Sequence, residues 1–176
     1  IRARASITVN APPDQVYAAW RAFEELPRFM AHLESVQERD SRHSHWVAKA
    51  PAGRTVEWDA ELVDDVPGKV ISWRSAEGAD VPNRGSVRFS EAPGPRGTEV
   101  SVDLRYEPPF GAPAAAVARI FGEDPLQQAK DDLRRFKQVV ETGEVVRSEG
   151  SPEGSRIHRQ LHQHEGQPLP GGESRQ

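Results

Sequence analysis

The side chains able to do chemistry are few and scattered. The chain of 176 residues holds six histidines and no cysteine, which excludes disulfides, thiolate zinc sites and a cysteine nucleophile. His43 and His45 are spaced like two metal ligands on an extended segment. Trp46 takes the opposite, inward parity, so the pair points outward, with no carboxylate or thiolate to complete a shell. His158, His162 and His164 fall in a polar C-terminal stretch that should not hold a helix, and adventitious metal binding is the most they suggest. His32 lies beside the turn LPRFM, where an acid/base role at a pocket edge stands against a surface position as the default. Glu57, Asp59 and Glu61 form an acidic row. Paired carboxylates can move protons, but these lie opposite Trp58 and read as a wet face, with Arg74 and Arg88 placed to pair with them across strands. Tyr106 ends a strand and can aim its hydroxyl into a cavity mouth or into water. Arg84 shares the loop Gly78–Gly85 with Asp80 and Asn83, where it can meet a ligand carboxylate or phenolate or stay solvated. No Ser-His-Asp pattern, G-x-S-x-G elbow or phosphate loop occurs. The residues therefore assign no catalytic position, no metal site and no cofactor.

Composition narrows the partners. Net charge is -4 and the basic residues form no run, which argues against nucleic acid, since phosphate binding needs clustered Lys and Arg. No stretch approaches the ~20 apolar residues of a membrane span, so stable membrane insertion is not expected. The lack of cysteine fits a reducing compartment, and a cytoplasmic location is the expectation. Mean hydropathy is -0.70, but the polarity is uneven. The expectation is one domain over residues 1–143, long enough to bury a core, and a disordered polar tail over residues 144–176, rich in Gly, Ser, Pro, Glu, Gln and Arg.

The elements that must position these side chains are legible from periodicity. Asp124–Gly143 predicts the organising helix. Asp124 is an N-cap, Pro125 takes the first helical position, Gln127 completes a capping-box pattern and Gly143 is the stop. Leu126, Ala129, Leu133, Phe136 and Val140 form its apolar stripe. Strict alternation predicts strands over Arg2–Val9, Thr55–Val63, Val70–Ser75 and Thr98–Tyr106, with others over His32–Arg39, Ser44–Ala50 and Ser86–Ser90. Short helical segments are expected over Asp14–Phe23, Glu24–Phe29 and Ala112–Phe121. Strands joined by short turns pair antiparallel. With one apolar face per strand and one long amphipathic helix, the fold class is α+β, a curved antiparallel sheet wrapped around the C-terminal helix.

That order of elements is the helix-grip order. The segments ITVNAPPDQVYAAWRAFEELPRFMAHLESV, WVAKAPAGRTVEWDAELVDDVPGKVISWRS and GSVRFSEAPGPRGTEVSVDLRY, followed by the last helix, resemble the START-like (SRPBCC) superfamily. The strand–Pro–helix opening and the LPRFM turn look most like its polyketide cyclase/dehydrase and coenzyme Q-binding branch. The resemblance covers residues 1 to about 143 and carries over no catalytic motif; one fold hosts many functions. It implies an elongated apolar cavity between sheet and helix. The inward residues that would line it are Trp20, Phe29, Trp46, Trp58, Trp73, Phe89, Tyr106, Phe121, Leu133 and Phe136, with Arg84 at one end. Any one of these aromatics also reads as ordinary core. The implied function is binding, transport or sequestration of a hydrophobic small molecule such as a polyketide, quinone or lipid, with no cofactor. A cyclase/dehydratase-type enzyme using the same cavity is the alternative. A protein-interaction module docking through the tail is a further one, its protein partner unknown. A cluster of ionisable side chains inside the cavity would favour the enzyme.

Overall fold

The computed structural model describes residues 1–107 and 124–143. Seven strands form one antiparallel sheet: β1 (Arg2–Val9), β2 (Leu33–Glu38), β3 (His43–Lys49), β4 (Thr55–Val66), β5 (Val70–Ser75), β6 (Asn83–Glu91) and β7 (Thr98–Tyr106). Their order is β1-β7-β6-β5-β4-β3-β2. Every neighbour after the β1–β7 pair is a consecutive strand, so short turns build the sheet as a meander and β1 closes its far side. Helix α1 (Pro13–Arg21) and a 3-10 turn (Phe23–Arg28) lie between β1 and β2, and helix α2 (Pro125–Thr142) ends the described chain. The sheet curls around α2, and the fold is the α+β helix grip that the sequence predicts.

Parity sorts the sheet into two faces. Ala3, Val9, Val100, Val102, Val87, Phe89, Ile71, Trp73, Leu62, Ala60, Trp58, Trp46 and Ala48 are buried on the inner face. Arg4, Arg84, Arg88, Arg74, Glu57 and Asp59, from the alternate positions, are exposed on the outer one. Ser44, Asn83 and Thr98 are the polar residues buried on that face, Thr98 at its edge. Thr98 is fully buried, and its hydroxyl donates to the Ala11 carbonyl at 2.7 Å, which fixes the chain as it leaves β1.

Helix α2 is capped as its sequence demands. The Asp124 carboxylate accepts from the Gln127 N–H at 3.1 Å, and Gly143 takes the left-handed conformation at φ 74°. The Gln127 side chain does not return to Asp124; it reaches forward to Asp131 instead, so half of the capping box is made. Of the expected stripe, Ala129, Leu133 and Phe136 are buried, while Leu126 is exposed at the first turn. Phe136 holds three elements together. Its ring lies 5.0 Å from Trp20 of α1 and 4.9 Å from Phe29 just after the 3-10 turn. Edge and tilted contacts of this kind add to the burial of the rings themselves. From the polar side of α1, Tyr17 and Arg21 both donate to Asp65 of β4.

The described boundaries coincide with those the sequence predicts or shift by one or two residues, except for two that shift by three. Strand β6 begins at Asn83, not Ser86, because Asn83 pairs with Tyr106 and Arg84 with Arg105. The loop is therefore confined to residues 76–82, and Asn83 and Arg84 are sheet residues. Strand β4 runs on to Val66 through a bulge between Leu62 and Asp64, which turns Val63 out to solvent. The segment Ala112–Phe121 and the tail 144–176, with His158, His162 and His164, lie outside the described residues.

Candidate functional site

The inner face carries a dense aromatic wall. Trp46 and Trp58 are cross-strand partners on β3 and β4. Their rings lie 6.1 Å apart and nearly parallel, and Trp46 and Trp73 of β5 lie 6.3 Å apart at the same small angle. The Trp46 indole N–H donates to the Ser44 hydroxyl at 2.8 Å. Gly85 is what lets Trp73 lie flat: a Cβ there would meet the Trp73 ring at 2.6 Å and Leu104 at 2.8 Å.

Opposite this wall α2 brings in a carboxylate. Asp132 sits within the apolar stripe, three residues after Ala129 and four before Phe136, and is buried with them. It accepts from the Arg135 guanidinium at 3.0 Å and from the Ala31 N–H. Arg135 in turn reaches the Phe29 carbonyl at 3.4 Å. Burial pushes the Asp132 carboxyl up to about 7, although the Arg135 charge pulls the other way. His32 approaches from the turn before β2, its Nδ1 3.8 Å from the Asp132 carboxylate. Its own carbonyl accepts from the Lys49 N–H at 2.8 Å, which sets the backbone beneath it. Burial lowers the imidazole to about 4, helped by the charges of Arg135 and Lys49. Tyr106, the last residue of β7, has its phenol raised by burial and by the Asp132 charge. Over much of the pH range between about 4 and about 7 all three groups are neutral: a carboxylic acid, an imidazole and a phenol.

Together these residues enclose a chamber of about 40 Å³. Trp20, Trp46, Trp58, Trp73, Met30, Leu33 and Leu104 form its apolar side, and His32, Asp132, Tyr106 and Asn83 its polar side. The volume admits a few water-sized groups, well below the several hundred Å³ of a drug-sized ligand. The described residues thus form a small chamber of mixed polarity between sheet and helix. A neutral acid, a neutral base and a phenol in one buried chamber can bind a carbonyl or hydroxyl from several sides. They can also exchange protons with it.

Of the residues named from sequence, the structure brings Trp20, Trp46, Trp58, Trp73 and Tyr106 together here, and Arg84 borders the chamber. Arg84 stands between inward Asn83 and Gly85, so its side chain belongs to the exposed outer face. Phe29, Leu133 and Phe136 are core around Trp20, and Phe89 packs edge-on against Tyr17 at 5.9 Å. None of the four lines the chamber. Phe121 lies outside the described residues. His32 is the reverse case: its default as a surface residue is corrected, because α2 covers it. Asp132 had no place in the sequence reading. The signal was there, an acid on the buried side of an otherwise apolar stripe. His43 and His45 face outward and pair with Asp40 and Asp59. Among the described residues no group of three or more His, Asp or Glu could hold a metal ion, and no helix is long and apolar enough to cross a membrane.

Residues 9–134 match the family model described as polyketide cyclase/dehydrase and lipid transport. The chain is 45% identical to DR_A0006 of Deinococcus radiodurans, whose crystal structure superposes with a TM-score of 0.68 and covers 81% of this chain and 98% of that one. It is 29% identical over 136 residues to an uncharacterized 17.2 kDa protein from the melC2-rnhH intergenic region of Streptomyces lincolnensis, covering 77% of this chain and 87% of that protein. A START superfamily protein from Mycobacterium smegmatis shares the fold at a TM-score of 0.60 and 16% identity, over 78% of this chain and 98% of that one.

Proposed function

The chain belongs to the polyketide cyclase/dehydrase and lipid transport family, and from that membership we propose that it binds a hydrophobic small molecule between the sheet and α2. The ligand is a polyketide, quinone or lipid by class, and it carries a carbonyl or hydroxyl. The observation that carries this reading is the pairing of the indole wall with a neutral Asp132, His32 and Tyr106 in one buried chamber. The chamber takes the ligand's polar head, where the carboxylic acid and the phenol donate hydrogen bonds and the imidazole accepts one. The apolar remainder packs against Trp46, Trp58 and Trp73, and α2 and the sheet part to admit it, since the chamber of about 40 Å³ takes only the head. Native mass spectrometry of the protein from its own cells, followed by denaturing extraction, tests it. A co-purifying apolar molecule with an oxygen function is expected. So is quenching of tryptophan fluorescence by an added naphthoquinone, weakened roughly tenfold in Asp132→Ala by loss of one donor to the bound oxygen, whereas Asp132→Asn keeps an amide donor in its place. An empty protein whose fluorescence does not respond would sink the reading.

A second reading, a cyclase/dehydratase-type enzyme, is favoured by one specific feature: an acid near neutral pH beside an imidazole that stays unprotonated. This is the arrangement that proton transfer to and from a carbonyl compound needs. Turnover lost in both Asp132→Asn and His32→Gln, with binding retained, would select it over carriage alone.

A further inference from the structure

The outer face of the sheet carries a row that ordinary sheet chemistry disfavours. Arg2 of β1 stands opposite Arg105 of β7, Arg105 opposite Arg84 of β6, and Arg84 opposite Arg74 of β5. Like charges in direct cross-strand register destabilise a sheet. Here four follow one another across adjacent strands, in a chain whose net charge is -4. At about 4.8 Å between strands the row is about 14 Å long.

The neighbouring acids neutralise its two ends and leave its centre. Asp103 is taken by Arg2, through two hydrogen bonds of 2.7 and 3.0 Å. Glu61 is engaged by Arg74 at 3.4 Å, and Asp64 accepts the Ser72 hydroxyl at 2.7 Å. Arg84 and Arg105, at the centre of the row, make no ion pair among the described residues. Beside them lies a groove of about 410 Å³, within the size range of small-molecule sites. Arg74, Arg84 and Arg105 line it, with Ser86 supplying a hydroxyl. Val63, turned outward by the bulge in β4 and 47% exposed, gives it one apolar wall.

We propose that this groove is a binding site for a soluble organic phosphate, whose anionic group is held by Arg84 and Arg105 and whose carbon skeleton rests on Val63. Guanidinium forks match phosphate oxygens in pairs, and two converging from adjacent strands hold one phosphate or bridge a diphosphate. The site lies on the face of the sheet away from Asp132 and His32; Arg84 and Trp73 border both sites, and Arg105, which borders the groove alone, separates its failure from that of the inner chamber. It also gives Arg84 a role on the side where its strand places it.

An NMR titration of the full chain with inorganic pyrophosphate at low salt tests the proposal. Saturable shifts confined to outer-face residues of β5, β6 and β7 are expected, fading as salt rises. Arg84→Gln and Arg105→Gln each weaken binding about tenfold, the effect of one lost charge-assisted contact. Asp103→Asn removes a competing carboxylate and tightens binding severalfold. These positions are on the wet face, and unchanged thermal midpoints check that the variants fold. The proposal is overturned if sodium chloride of equal ionic strength gives the same shifts. It is overturned equally if a well-folded Arg84→Gln/Arg105→Gln double variant binds pyrophosphate like wild type. Binding to phosphatidylglycerol vesicles without any response to pyrophosphate overturns it as well, and assigns the face to a membrane surface.

Discussion

Replacing either member of the buried pair Asp132 and His32 should expose a pH dependence that the wild type conceals. Consider the protons each state holds. Unfolded, an aspartate titrates near 3.8 and a histidine near 6.5; folded, Asp132 titrates at about 7 and His32 at about 4. Between pH ~4 and ~6.5 the unfolded pair carries one proton, on the imidazole. The folded pair also carries one, on the carboxyl. Stability depends on the difference in bound protons, so folding moves the proton from one residue to the other and the pair contributes almost no slope. Asp132→Asn leaves His32 alone. A lowered imidazole stabilises above pH 6.5, and that contribution is lost as the pH falls through 4. The shift of about 2.5 units corresponds to about 3 kcal/mol. His32→Gln leaves Asp132 alone. A raised carboxyl stabilises below pH 3.8, and that contribution is lost as the pH rises through 7. Its shift of about 3 units corresponds to about 4 kcal/mol. The Asp132 side chain is 8% exposed and that of His32 16%, so solvent screens little of either effect. Urea unfolding from pH ~4.5 to ~7.5 measures all three proteins. Subtracting the wild-type curve cancels groups elsewhere. The two difference curves should slope in opposite directions, Asp132→Asn losing ground in acid and His32→Gln in base. Parallel or flat difference curves would refute burial as the cause of both shifts. A carbon-13 carboxyl shift showing Asp132 ionised at pH ~5.5 would place the proton on the wrong partner.

Two further changes probe the frame around the chamber. Gly85→Ala pushes a Cβ into the Trp73 ring and Leu104; it should destabilise by about 1–3 kcal/mol through overpacking and shift tryptophan fluorescence, and an unchanged spectrum and midpoint would contradict the contact. Asp124→Ala removes the carboxylate that accepts from the Gln127 N–H and should cost about 1 kcal/mol by chemical denaturation, with amide exchange quickening in the first turn of α2 only.

The strands were legible because their signal is local. Arg2–Val9, Val70–Ser75 and Thr98–Tyr106 coincide in sequence reading and structure, since alternation needs only adjacent residues to be read. Asn83 and Arg84 were misplaced for the same reason. Pro82, Asn83 and Gly85 have turn composition, and only pairing with Arg105 and Tyr106 makes a strand of them. The aromatic wall followed from parity, and Trp46, Trp58 and Trp73 share the inner face. The polar side of the chamber is a different kind of fact. His32 is buried because Asp132 and Arg135, a hundred residues later, close over it. No local pattern around residue 32 records that cover. Asp132 was passed over because a stripe is found by counting its apolar members, and an acid among them registers as a gap.

That gap argues for a role beyond folding. A leucine at position 132 would continue the stripe of Ala129, Leu133 and Phe136 without any cost of desolvating a carboxyl. The carboxyl found there is shifted by about 3 units, so ionising it above neutral pH costs the fold about 4 kcal/mol. Domains of this size are stable by only about 5–15 kcal/mol in total. Arg135 does not need Asp132 as a structural partner, for its side chain is 31% exposed and also reaches the Phe29 carbonyl. A group that weakens the fold when charged, is kept neutral by burial, and faces an indole wall beside a second neutral titratable group is placed to meet a guest. Arg135 retains its exposure and the Phe29 carbonyl, so Asp132→Leu should raise the unfolding free energy at pH ~8 through removal of the desolvated charge, while abolishing response to a quinone. A variant less stable than wild type at that pH would make Asp132 a structural residue, and the chamber's claim to a ligand would rest on its aromatics alone.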